Sequence, residues 1–279
     1  MRTTILSLFL IPFFLLASEV KSYGFVGSKP FVTLVGEEKF TTIVSYDDDA
    51  QKKNWLGEDM GASRSASFYC HGDEFMAINL SFKNGSGRVG QAVAAWISGD
   101  RNVFINCRFL GFQDTLYTFG KGVRQLYYQC YIEDTVDFIF GGSTAWFENY
   151  ELHCKNRGYI TAASTPGQVD FGYIFNNCNV TGNKDTKSFY LGRPWQSYAK
   201  VIFMHCNLPK FIEGKDWHNW DKEPNEKTAY FAEYKNRGAG SVSQNRVKWS
   251  RLLTVREADS LNFQRVSRIG YQTLHLINK

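Results

Sequence analysis

Asp114 and Asp137 are the residues whose type and spacing point most directly to chemistry. They lie 23 residues apart in the stretch GFQDTLYTFGKGVRQLYYQCYIEDTVDFIFGG, which runs from Gly111 to Gly142. Between them lies a strand-like run, Gln125 to Ile132. A chain that returns to the same face every ~20–30 residues has the signature of a stacked solenoid. Neighbouring strands lie about 4.8 Å apart, so one coil would bring the two carboxyl groups about that close on one face. Two acids so placed do not both ionise freely: one holds a proton while the other stays a base or nucleophile.

Gln91 lies 22 residues before Gln113, again about one coil. Alone, either glutamine reads as a strand residue making ladder contacts. Beside two acids they become neutral N–H donors, able to stabilise an oxyanion without neutralising a nucleophile. Arg193, in Leu191-Gly192-Arg193-Pro194-Trp195, follows Asp137 by 56 residues, about two longer coils. It could grip a carboxylate bidentately and keep it ionised. Trp195 offers a flat apolar face for a sugar ring. Other signals fail on context: Gly85-Ser86-Gly87-Arg88-Val89-Gly90 fits GxGxxG without a following helix pattern. There is no GxSxG, HExxH or CxxC, so a serine triad and a metal site lack support.

The elements that must position these groups read as short apolar runs with Gly, Asn and Asp between them, such as 31–35, 41–44, 67–70, 75–82, 91–98, 103–109, 125–132 and 146–152. Four cysteines recur in one setting: Asn106-Cys107, Gln129-Cys130, Asn177-Cys178 and His205-Cys206, each followed by an x-apolar pair. Asn149-Tyr150 fills the gap with Tyr for Cys, and Asn84 reads as the opening member. The intervals from 106 are 23, 20, 28 and 28 residues. The expected fold is therefore all-β, a parallel β-helix with interior stacked thiols and a short C-terminal helix over 255–266. A Cys154–Cys178 bridge is left open.

Residues 1–22 read as a secretory leader: Arg2, an apolar run Ile5–Leu16, then small and polar residues. Residues 23–279 then form one domain, expected to be soluble and monomeric, with no membrane span. Sequons at Asn79, Asn84 and Asn179 agree with secretion. The net charge of +5 suits a polyanionic partner, and no Lys/Arg run exceeds two residues, which argues against nucleic acid.

Four ordered blocks, Gln91-Ala92-Val93-Ala94, GFQDTLY at 111–117, DFIFG at 137–141 and LGRPW at 191–195, resemble the signature blocks of plant pectin methylesterases. Weaker echoes include Trp217-His218-Asn219-Trp220 and Arg246-Val247-Lys248-Trp249. The resemblance covers about Phe31 to Trp249. It implies a right-handed parallel β-helix that hydrolyses the methyl esters of homogalacturonan in the cell wall, without cofactor or metal. It implies Asp137 as nucleophile, Asp114 as proton donor then base, and Gln91 and Gln113 at the oxyanion. Arg193 would orient Asp137, Trp195 would line the sugar groove, and a proteinaceous pectinesterase inhibitor becomes a candidate partner. The chain departs from the pattern in three places. The usual opening blocks are not found before Phe31, so the helix is expected to be shortened by about two coils and a cap. Gly61-Ala62 stands where Gly-Thr is common, and the usual C-terminal aromatic is not evident in Tyr271-Gln272-Thr273-Leu274. Two rival readings are a catalytically silent pectin-binding β-helix and a lyase or glycosidase built on the same fold.

Overall fold

The computed structural model describes residues 19–21 and 25–269. Their strands pair in parallel throughout, in a twelve-stranded and a nine-stranded sheet. The larger sheet folds into two walls, because the long strands Tyr131–Gly141 and Glu151–Ala163 each run through both. The chain thus winds as a three-walled parallel β-helix. In the nine-stranded wall Val103, Leu126, Trp146, Ile174 and Ile202 lie in register, so the 23-, 20-, 28- and 28-residue intervals are successive coils.

The repeated residue before each cysteine has a specific backbone role. Asn79, Asn106, Gln129, Asn149, Asn177 and His205 all have φ between 50° and 58°. This left-handed conformation, which Asn tolerates best, turns the chain from one wall into the next. Runs such as 75–82 and 103–109 are therefore two strands each, Met76–Ile78 with Ser81–Asn84 and Asn102–Ile105 with Arg108–Leu110. The apolar pattern continues across the corner, so composition does not reveal the break. His205 is likewise a corner residue rather than a strand residue, its Nδ1 3.0 Å from Asn176 Oδ1.

The series opens at Asn79, one coil before Asn106, and not at Asn84. Asn84 is buried, and its amide donates to the carbonyls of Asp48, Ser65 and Val93. Its sequon is therefore closed to a glycan in the folded chain, whereas Asn179 is exposed. All six cysteines are free and buried. Cys154 sits in register with Gly182, which leaves no Cys154–Cys178 bridge. Inside the coil Phe104, Tyr127, Phe147, Phe175 and Phe203 stack at centroid distances of 5.0, 4.8, 4.5 and 4.3 Å. Each such pair contributes about 0.5–1.5 kcal/mol beyond its buried area.

The expected C-terminal helix is two, Val255–Asp259 and Phe263–Ser267. Thr254 caps the first in a capping box with Glu257, and Asn262 caps the second, so the chain restarts at Asn262. Ala258 and Val266 join the apolar cluster on the outer face of the nine-stranded wall, and the second helix packs on Arg124–Tyr128 and Thr144–Glu148. That covering leaves the wall formed by Phe68–Cys70, Ala95–Ile97 and Leu116–Thr118 open on its outer face. At the other end Glu19–Lys21, inside the expected leader, pairs with Ile43–Tyr46. Tyr271–Leu274 lies outside the described residues. Among the described residues no helix is long and apolar enough to cross a membrane.

Near the C-terminal end Arg246 bridges Glu233 at 2.8 Å and also lies against Asp216. Asp216 is fully buried and its oxygens lack a well-aligned hydrogen bond. Burial first, then the Glu233 carboxylate, push its pKa up to about 10, with Arg246 opposing only in part. A carboxyl raised in the folded state makes the fold most stable below its unfolded pKa, and that stability drains away as pH rises toward the folded value. Asp216→Asn imitates the protonated form. It is expected to raise Tm at pH 8 by roughly 5 °C and to flatten the decline between pH 5 and pH 8, checked by calorimetry.

Candidate active site

Leu116 pairs with Ile139 and Tyr117 with Phe140, so Asp114 and Asp137 are one 23-residue coil apart on the open wall. Both have left-handed backbones, φ 64° and 57°, on side chains that are neither Gly nor Asn. Such strain of about 1–3 kcal/mol per residue collects at functional positions. Asp137 also sits where the pairing of Tyr131–Gly141 with Glu151–Ala163 slips register, between Val136 and Ile139. A bulge of this kind re-aims a side chain out of the ladder.

The two acids open into a cavity of about 450 Å³. Gln91, Gln113, Arg193 and Trp195 line it with them, so the structure brings together every residue singled out from the sequence. Arg193 reaches back across two coils and grips Asp137 through Nε to Oδ1 at 3.0 Å and Nη2 to Oδ2 at 2.7 Å. Its strand can come close because Gly192 lacks a Cβ, which would lie 1.9 Å from Thr161 Oγ1. Gln91 Nε2 donates to Asp114 Oδ2 at 2.8 Å. One of the two glutamines expected at an oxyanion thus spends an N–H on the acid, while Gln113 faces the cavity. Ala62 and the adjacent Ser63 also line it.

Asp114 and Asp137 are 3% and 6% exposed, and this burial governs their ionisation. Burial first, then the charges of Asp137 and Asp134, lift Asp114 well above the ordinary carboxylate value, against Gln91 and Arg193. Asp137 is raised as well, by burial, with Arg193 opposing. Arg193 thus favours the ionised form of Asp137, as expected, while desolvation outweighs it in the net direction. The order still separates the roles, because the larger rise falls on Asp114.

Asp134 is the residue that the sequence did not mark. It is fully buried beneath the site. It accepts from the backbone N–H groups of Thr115 at 3.0 Å and Val136 at 3.1 Å, and from Thr115 Oγ1 and the Thr135 N–H. Those bonds tie the two acid-bearing segments together, yet burial still pushes its pKa up to about 7. Its similarity to Asp114, an acid followed by Thr, was the one signal available. Tyr117, Phe140 and Trp220 complete the walls. A second groove of about 330 Å³, under the C-terminal helices, is lined by two acids, Asp170 and Glu257, but both are exposed and no arginine shares the lining.

The Pectinesterase family model matches residues 25–270. The chain is 42% identical over 240 residues to Pectinesterase 31 of Arabidopsis thaliana, covering 82% of this chain and 74% of that protein. It is 34% identical over 249 residues to Probable pectinesterase/pectinesterase inhibitor 13 of the same plant, covering 84% of this chain but only 39% of that protein. Among solved structures, a pectin methylesterase mutant in complex with a hexasaccharide superposes with TM-score 0.80 at 26% identity, covering 92% of this chain and 88% of that one. A carboxylate gripped by arginine, a second acid one coil away and a match that spans nearly the whole coil agree: the chain belongs to the pectinesterase family.

Proposed function

We propose that this chain hydrolyses the methyl esters of homogalacturonan, releasing methanol and pectate, with Asp137 as nucleophile and Asp114 as proton donor. The observation that carries this reading is Asp137 in the bidentate grip of Arg193, one coil from an Asp114 whose pKa burial has raised further. Asp137 Oδ attacks the ester carbonyl, and the tetrahedral oxyanion forms beside the Gln113 amide. The carbonyl re-forms, the C–O bond to methanol breaks, and the proton of Asp114 passes to the leaving oxygen. Asp114, now a carboxylate, takes a proton from water. That water attacks the acyl–Asp137 anhydride, releasing the uronate and restoring both acids. Trp195 presents its ring to the sugar.

Gln113→Ala removes an oxyanion donor without touching either acid, and kcat is expected to fall about 10²–10³-fold with little change in KM. Initial rates of methanol release check this, and a parental kcat would remove Gln113 from the mechanism. The acids also require a bell-shaped pH profile of kcat/KM, in which activity needs Asp137 ionised and Asp114 protonated. Because Arg193 pulls the Asp137 pKa down, Arg193→Lys is expected to move the acid limb to higher pH.

The leader-like N-terminus, the exposed Asn179 sequon and the positive charge support a secreted glycoprotein of the cell wall. Glycosidase treatment of secreted material checks the carbohydrate at Asn179. A proteinaceous inhibitor that covers the cavity is the proposed regulatory partner.

A further inference from the structure

Arg193 is held on its faces as well as along its edge. Its Cζ lies 3.9 Å from the ring centre of Tyr159 and 3.6 Å from that of Trp220. Two rings that close must take opposite faces of a planar guanidinium, while Nε and Nη2 point along the edge to Asp137. Tyr159 is backed in turn. Tyr190 stacks on it at 5.3 Å and 14°, and His218 stands edge-on to both rings at 5.6 and 5.5 Å.

Trp220 sits in a segment with two successive left-handed residues, Trp220 at φ 61° and Asp221 at φ 53°. Asp tolerates that backbone but a bulky Trp does not, so the segment needs ties. His218 Nδ1 accepts the Trp220 N–H at 3.0 Å, and the Asn219 side chain accepts the Asp221 N–H at 2.9 Å and donates to Glu226 at 2.8 Å. His218 therefore touches both halves of the sandwich, packing on the Tyr159 ring and pinning the Trp220 backbone. Unlike Trp220, neither Tyr159 nor His218 lines the cavity, so neither is placed to touch the sugar.

We propose that Tyr159 and Trp220 form an aromatic clamp on Arg193, latched by His218, which fixes the direction from which the guanidinium meets the Asp137 carboxylate. Tyr159 and His218 are positioning residues: they act on the reaction only through Arg193. The chemistry fits the parts. A guanidinium stacked on both faces keeps its donors free in the ring plane, and the cation is favoured by the negative faces of the two rings. Without the clamp a long arginine side chain has many rotamers, and few of them present Nε and Nη2 together. The clamp thus supports the nucleophile and rests on the ester-hydrolysis reading for its catalytic meaning.

The test pairs turnover with a signal that needs none. Tyr159→Leu removes the ring, whereas Tyr159→Phe keeps the face and loses only the hydroxyl. With Tyr159→Leu, kcat on methylated pectin is expected to fall about three- to tenfold with a smaller change in KM. The acid limb of kcat/KM moves to higher pH, because Asp137 loses part of its cation. Tyr159→Phe should keep kcat and the acid limb near the parent. In the free protein the Nε–H resonance of Arg193 should be displaced by the two rings, and Tyr159→Leu should shift it. An unchanged acid limb and resonance in Tyr159→Leu would overturn the clamp, as would equal losses in the Leu and Phe variants. Should Tyr159→Leu fail to fold, His218→Leu is expected to move the acid limb the same way, with His218→Asn restoring it through an acceptor oxygen. An unmoved limb in His218→Leu overturns the latch. A parent that shows the ring-shifted arginine but releases no methanol would keep the clamp and refute ester hydrolysis.

Discussion

Asp137→Asn is expected to cut methanol release from methylated pectin by about 10⁴-fold or more while leaving the coil folded. Asparagine suits the left-handed backbone at this position, φ 57°, better than alanine would, so the substitution isolates chemistry from folding. It retains an oxygen for Arg193 but loses the negative charge that the proposed mechanism uses to attack the ester. Arg193, 18% exposed at its side chain, then lacks its counter-charge, and a modest fall in Tm should accompany the loss of rate. Circular dichroism and initial rates on one preparation separate the two effects. Parental turnover from the folded variant would remove Asp137 from the role of nucleophile.

Asp114→Asn is the second large effect. General acid–base catalysis contributes about 10²–10⁴-fold, and in the proposed mechanism Asp114 serves in both half-reactions. The loss should depend on the leaving group. Methanol is a poor one and needs the proton, so a uronate ester of a more acidic alcohol should recover part of the first step. The second step, in which water needs a base, would then limit turnover, and alcohol should appear in a burst before the steady state. A uniform loss across all leaving groups, with no burst, would show that Asp114 holds structure rather than protons. The variant also removes the carboxyl held by Gln91 at 2.8 Å, but asparagine can accept the same bond.

Much of this arrangement was legible in the sequence, because a solenoid turns spacing into proximity. The 23 residues from Asp114 to Asp137 are one coil, and the Asn/Gln-Cys repeat marks a corner whose left-handed backbone selects its residue type. Misreadings came where the corner and the strand share one composition. Asn84 carries the right residue type but faces inward to three carbonyls, and the true opening corner, Asn79, is followed by Leu80 rather than Cys. The strands Leu116–Thr118, Asn179–Gly182 and Ser188–Pro194 did not stand out, because they are short or interrupted by polar and glycine residues. The clamp on Arg193 was out of reach, since Tyr159, Arg193 and Trp220 come from coils of unequal length. The ionisation of Asp137 needed burial, which spacing does not supply.

The most direct test of the central claim, covalent catalysis by Asp137, is to trap the acyl intermediate. Hydroxylamine added to the enzyme during turnover of methylated pectin attacks an acyl–aspartyl anhydride and leaves a hydroxamate, on the uronyl group or on Asp137, that mass spectrometry reads. The account predicts that active enzyme forms hydroxamate beyond what hydroxylamine makes from the methyl esters unaided, and that Asp137→Asn adds none. Steady enzymatic methanol release with no hydroxamate above that background and none on Asp137 would contradict it and assign Asp137 to activating water instead.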